Sequence, residues 1–525
     1  MALFGVSLHA LIITNTIFVA CIAYLIFWIT SRASVLCLGM LAACTFIIIF
    51  AFSANNFVNC FNFITPYVHE LPHGFLLSLL SITLLEVGID RQQNRKIACA
   101  GVAVGLAFLT RLEIALSLLA ALSAWWWCTF HHDTYSPACK RLLCIFLMST
   151  ILTIAISAIL LHQHTPEINI WRSLFASFFM VFTTSIASSP YFRSLAGWNI
   201  PNEAISRQVF ATAIFLFFLL QCYACAHMTR LRSKVSVFFF GMLGSLLALL
   251  LIYIGTTPLF SGGILLVSTF GIFVITVIRI YSSPSINRSL RISITATMFA
   301  GIMLTKILLL PNTNFYGFSH GLVAYILLVV TILFVLPKLV LRKLGLQPSQ
   351  VFTCILATLL LADVGAEGLI DQRKINPALL RIGSENDEFF VINNQRNTPY
   401  QEFLREAPQL IPPFSTMAVL PEGIMLNYLL RIPSTTHNTH YTVSEYIMFG
   451  KENIEGDLQH KPPDFVVLAH KDTPEFGYPL YGKMPEYGAE IMGWMQKNYE
   501  QIALFGKQPL EKMQQEGIAL WKRKK

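Results

Sequence analysis

The residues of this 525-residue chain best placed to do chemistry are charges set inside or beside long apolar runs. A charge is costly there unless it has a partner or a task. Arg111 and Glu113 stand in a turn between two short apolar stretches, in the run GLAFLTRLEIALSLL. A guanidinium so placed can close the turn on its acid. It can also grip a phosphate with two parallel N–H donors, and the two roles are compatible. Lys306 lies near the end of another apolar stretch. It can hold an anion there or extend its head toward the interface. Glu86 reads as a flanking charge near Arg91, and His320 as one of the titratable groups at a span mouth.

A second constellation is His69-Glu70-Leu71-Pro72-His73, which fits the pattern H-E-x-x-H. In zinc hydrolases that spacing puts two imidazoles on one helical face, with the acid activating a metal-bound water. Pro72 lies inside the motif and disfavours a regular helix unless this is a first turn. A third ligand is also needed, and none stands out downstream. The favoured reading is a polar mouth in which Tyr67, His69, Glu70 and His73 face a substrate, shaped by Pro66 and Pro72. No metal and no cofactor is expected.

These residues hang on a long apolar framework. The chain is 55% hydrophobic and 12% charged, with mean hydropathy +0.61. That composition belongs to an integral membrane protein with a soluble appendage. Twelve apolar stretches fill residues 1–370, from 6–29 to 350–366. The basic residues between them alternate: Arg32; Arg91, Arg95 and Lys96; Lys140 and Arg141; Arg230, Arg232 and Lys234; Arg279, Arg288 and Arg291; Lys338, Arg342 and Lys343. Basic loops stay in the cytoplasm. The pattern predicts a chain that starts outside, crosses twelve times and delivers its end outside. Only Thr110–Glu113 separates the stretches 97–110 and 114–130. Two short spans keep the charge alternation, where one long helix would break it.

Residues 1–370 hold 20 Lys+Arg against 9 Asp+Glu, and residues 371–525 hold 17 against 19. The net charge of +9 is therefore a topology signal and an attraction to lipid headgroups, not a nucleic-acid signal. All eleven cysteines precede the tail, so the tail needs a core of its own. Residues 371–525 predict a small α/β domain. Strands are expected at 416–420, 464–469, 501–505 and 517–521, and helices at 423–430 and 486–498. An apolar stretch at 171–179 predicts an interfacial helix. The expected fold is a membrane all-α bundle of about twelve transmembrane helices (1–370) followed by a small extracytoplasmic α/β domain (371–525).

The sequence also resembles a known family. The segment ITPYVHELPHG opens a span, the basic turn RQQNRK follows, and AGVAVGLAFLTRLEIALSLLAAL comes next. The tail carries LPEGIMLNYLLRIPS and PPDFVVLAHKDTPEFGYPLYG. Together these resemble the GT-C-fold glycosyltransferases of the protein mannosyltransferase and aminoarabinose transferase type. The resemblance implies a polyprenyl-phosphate-linked sugar donor and an acceptor, of unstated identity, approached from outside a bacterial inner (plasma) membrane. With that donor, Arg111 would be the leading phosphate contact and Lys306 the second candidate, with Glu113 positioning Arg111. Tyr67, His69, Glu70 and His73 would line the cavity, with His69 and Glu70 as candidate catalytic groups. The family's catalytic acid lies in a first outer loop. This chain is expected to lack the first span and that loop, and so to be a transferase whose start is truncated or misassigned, or an inactive member. Membrane lipids are expected partners, and nucleic acid is not. A transporter or flippase for a lipid-linked sugar is the alternative, and an intramembrane zinc protease the third reading.

Overall fold

The computed structural model describes residues 5–52, 62–66, 68–131, 137–164, 185–195, 262–283, 286–307, 317–331 and 379–524, with scattered positions between 170 and 220. The chain divides into two compact units. One comprises 12–177 and 195–375, and the other 1–11, 178–194 and 376–525.

The first unit is helical. Its helices are α1 (Leu8–Ala33), α2 (Leu36–Thr45), α3 (Glu70–Asp90), α4 (Asn94–Phe108), α5 (Leu112–His131), α6 (Pro137–His164), α7 (Gly262–Ser282), α8 (Arg288–Leu304) and α9 (Leu322–Val330). Among the described residues, six are long and apolar enough to cross a membrane: α1, α3, α5, α6, α7 and α8. The break between α4 and α5 is real. Leu109 and Thr110 close a turn through Leu109 N to Leu106 O and Thr110 N to Ala107 O, both 3.1 Å. The Thr110 hydroxyl also donates to Ala107 O at 2.6 Å, and α5 starts afresh at Leu112. The expected spans 235–254 and 350–366, and most of 209–227 and 171–179, fall outside the described residues, as does Tyr67.

α3, α5 and α8 carry two ionic clusters. Glu86 of α3 and Arg291 of α8 meet Trp125 of α5 at one end. Glu113 of α5 meets Lys306, just past α8, at the other. α3 and α5 therefore run the same way and α8 runs against them. Aromatic side chains knit the interior: Phe63 packs edge-on to Phe46 at 5.2 Å and to Phe318 at 5.3 Å, and Phe75 to Phe299 at 5.9 Å. Each of these five rings is buried. Burying rings of this size makes a dominant contribution to packing.

Gly74 decides how closely α3 approaches α5. A Cβ there would lie 2.4 Å from Thr110 Oγ1 and 3.1 Å from Ile114 Cγ2. Only a residue without a side chain lets the helices meet at this point.

In the second unit, β1 (Leu379–Ile382) and β2 (Phe389–Ile392) form an antiparallel hairpin. A four-stranded sheet follows, built from β3 (Met417–Leu420), β4 (Phe465–Ala469), β5 (Tyr499–Gly506) and β6 (Gly517–Arg523) in the order β3-β4-β6-β5. β3 and β4 are parallel, and the other two pairings are antiparallel. Every residue of β3 and β4 is buried. Alternation along them feeds two cores. Ala418, Leu420, Val466 and Leu468 face one core with Tyr446, Ile454 and Ile491. Met417, Val419, Phe465 and Val467 face the other with Phe403 and Leu426. The sheet thus carries α10 (Asn397–Leu410) and α11 (Ile424–Leu430) on one side. On the other it carries α12 (Val443–Phe449), α13 (Lys451–His460) and α14 (Ala489–Asn498). The four expected strands and two expected helices form within a few residues of their expected bounds.

Candidate functional site

α5 begins at Leu112 and puts Glu113 in its first turn. α8 ends at Leu304 and continues as a 3-10 turn, Thr305–Ile307, that carries Lys306. An acid at a helix start and a cation at a helix end both suit the helix dipole. The two side chains meet, with Lys306 Nζ donating to Glu113 Oε1. Arg111 Nε lies 3.5 Å from Glu113 Oε2. One carboxylate therefore serves two cations. The three side chains are 20–23% exposed, sheltered but reachable. His320 is fully buried, with its Nδ1 3.1 Å from Ser319 Oγ.

The sequence leaves Lys306 free to extend to the interface; the structure instead pairs it with Glu113. Arg111 and Glu113 do form the expected ion pair. Because the unpaired N–H groups of a helix start attract anions, α5's first turn, Arg111 and Lys306 offer positive potential on one small surface.

The His69–His73 segment adjoins this turn, since Gly74 packs directly on Thr110 and Ile114. Pro72 lies in the first turn of α3, where its missing N–H breaks no helical bond. The proline objection to an H-E-x-x-H helix therefore fails. His73 N donates to His69 O at 3.3 Å, and the two imidazole centroids are 6.1 Å apart. Among the described residues, however, no three His, Cys, Asp or Glu side chains come together to hold a metal. The two imidazoles have other surroundings. His73 packs edge-on against Phe18 at 5.0 Å. His69 Nδ1 is buried without a hydrogen-bond partner among the described residues. Burial pushes the His69 imidazole below its ordinary value, and Glu70 partly offsets this. His69 stands next to the exposed Glu70.

At the opposite end of the same three helices lies a cluster the sequence does not announce. Glu86 is 1% exposed. Its Oε1 accepts from Trp125 Nε1 at 2.5 Å and from Arg291 Nε at 3.3 Å. Its Oε2 accepts from Arg291 Nη2 at 2.9 Å. Arg288 pairs with Asp90, and Arg291 reaches Asp90 Oδ1 at 3.3 Å. Glu86 is therefore a buried clasp across α3, α5 and α8, not a flanking charge beside Arg91. Its only sequence signal is an acid within an apolar run. By helix rise, about 18 Å separates Glu113 from Trp125 on α5. That is less than the roughly 30 Å of hydrocarbon in a bilayer. At least one of the two ionic clusters therefore sits at membrane depth and depends on its pairing.

No family model matches the chain, and no curated protein matches it. Among solved structures it is similar to the Archaeoglobus fulgidus oligosaccharyltransferase. With an acceptor peptide containing the NVT sequon tethered via a disulfide bond, that structure shows 13% identity and TM-score 0.42, over 88% of this chain and 57% of that one. With Zn and sulfate the figures are 14%, 0.41, 87% and 56%. In the apo form they are 13%, 0.42, 88% and 58%. The chain spans little more than half the length of these structures.

Proposed function

We propose that this chain is a multi-pass membrane glycosyltransferase of the GT-C type, moving a sugar from a polyprenyl-phosphate donor to an acceptor outside the bacterial inner membrane. The observation that carries the reading is the pairing of Arg111 and Lys306 around Glu113, beside the His69–Gly74 turn. In the reaction, an acceptor hydroxyl or amine attacks the anomeric carbon, the bond from that carbon to the phosphate oxygen breaks, and polyprenyl phosphate leaves. The leaving phosphate gathers charge, and fixed cations stabilise it most where water is scarce. Arg111 supplies a planar fork and Lys306 a point charge. Glu113 holds both before the donor arrives, so little reorganisation is needed. His69, with Glu70 at its side, is placed to take the acceptor's proton. His73 and Tyr67 shape the sugar and acceptor pocket.

The test supplies purified full-length chain with a polyprenyl-phosphate-linked sugar and cell-envelope acceptor, and follows free polyprenyl phosphate. Its release, with sugar appearing on the acceptor fraction, is the expected result. Movement of the intact lipid-linked sugar across sealed vesicles without cleavage would replace the transferase with the flippase. Orientation is tested separately. Reporter fusions after Leu231, Ser285 and Leu341 are expected in the cytoplasm, and fusions at Tyr191, Gly317 and Gly450 outside. A cytoplasmic Gly450 reporter would reverse the assigned faces.

A further inference from the structure

A cleft of about 170 Å³ runs between α1, α3, α7, α8 and α9, walled by residues that include Ile26, Phe75, Leu79, Phe299 and Leu327. Seven hydroxyl groups also line it, and five of them donate to backbone carbonyls. Ser78 bonds Gly74 O, Thr276 bonds Ile272 O, and Thr295 bonds Arg291 O, each at 2.7 Å. At one end Ser34 bonds Thr30 O at 2.7 Å and Ser289 bonds Ala33 O at 2.6 Å. A water molecule needs two to four polar partners to be stable in a cavity. With these donors engaged, the walls favour hydrocarbon over water.

The end marked by Ser34 and Ser289 also carries Arg279 on the cleft's rim. Its side chain is exposed, and no acid pairs with it among the described residues. The other arginines of this end, Arg288 and Arg291, are held by Glu86 and Asp90. An apolar slot closed by one available guanidinium complements an amphiphile with a single negative head. Its charged end is not the end that carries Arg111 and Lys306. Those groups lie at the other end of α8, about 22 Å away by helix rise from Arg291 to Lys306.

We propose that this cleft holds one acyl chain of an anionic glycerophospholipid from the leaflet at the Arg279 end, with the lipid phosphate on Arg279. The chain acts as a resident side of the bundle, filling the space between α1 and α8. This site is separate from the proposed donor site and does not depend on it.

The test uses the full-length chain in nanodiscs of phosphatidylethanolamine with a minority of phosphatidylglycerol. Native mass spectrometry counts the lipid retained after detergent exchange, for wild type, Arg279→Gln and Ala296→Phe. Wild type is expected to retain one phosphatidylglycerol. Arg279→Gln should lose about fivefold in preference for phosphatidylglycerol over phosphatidylethanolamine, the worth of one cation near a charged surface. Ala296→Phe places a ring in the cleft and should lose retained lipid of either kind. A smaller filling change, Ala296→Leu, covers the case in which the phenylalanine variant fails to fold. Equal retention of phosphatidylglycerol by all folded variants would overturn the proposal. So would recovery of polyprenyl phosphate, instead of phospholipid, as the retained species.

Discussion

At the scale of single residues, the candidate site is a problem in shared charge. Glu113 answers two cations, so its removal should cost more than the loss of either cation alone. Stranding a sheltered charge by deleting its partner typically costs about 3–5 kcal/mol when buried; partial exposure places Glu113→Gln nearer 2 kcal/mol. Thermal melting in detergent should show that loss, and Glu113→Gln with Lys306→Met should recover most of it. A double variant no more stable than Glu113→Gln alone would mean that the pair is incidental. Glu86 is the harsher case, because it is buried and its oxygens accept three hydrogen bonds from Trp125 and Arg291. Glu86→Gln should lower the melting temperature more than Glu113→Gln and change the Trp125 emission. The sequence shows these charges one by one but not their partners. Glu113 and Lys306 stand 193 residues apart, and Glu86 and Arg291 205 apart. No local spacing encodes either pairing.

At the scale of elements, legibility follows from how far the neighbours decide the structure. β3 and β4 are continuous apolar runs buried on both faces, so their sequence alone marks them. The turn between α4 and α5 is marked by charge in an apolar context. The β1–β2 hairpin is not marked, because it exposes Leu379 and Phe390 and carries no fixed alternation. α10 is obscured by Pro408 within it, and α12 and α13 are divided by Gly450 in a positive-φ conformation. The approach of α3 to α5 at Gly74 is invisible in sequence and yields a direct test. Gly74→Ala should lower stability by about 1–3 kcal/mol through overpacking, and should weaken donor binding by pushing α3 away from the Thr110 turn. Gly301→Ala is the control, since a Cβ there meets nothing within 4 Å and alanine favours the helix. Equal effects of the two substitutions would remove the close approach from the account.

At the scale of the whole molecule, the helical unit and the α/β unit answer to different conditions. In the α/β unit, burial pushes the Glu455 carboxyl above its ordinary value, and its bond from Tyr446 only partly offsets this. The folded chain then holds that proton more tightly than the unfolded chain. Glu455 therefore favours folding most at low pH, and its contribution declines as pH rises through the raised value. Amide exchange of residues 443–460 in the full chain should quicken over that rise, and Glu455→Gln should flatten the change. An unchanged slope in Glu455→Gln would assign the dependence elsewhere. The central claim is that the helical unit holds a lipid phosphate between Arg111 and Lys306. Its most direct test is the affinity of the full chain for polyprenyl phosphate against the uncharged polyprenol, in wild type, Arg111→Lys and Arg111→Ala. A charge-assisted contact of about 1.5–3 kcal/mol corresponds to roughly one to two decades of affinity. Wild type should prefer the phosphate by at least that margin. Arg111→Ala should lose most of the preference while remaining folded, and Arg111→Lys should keep part of it. Undiminished preference in a well-folded Arg111→Ala would contradict the account.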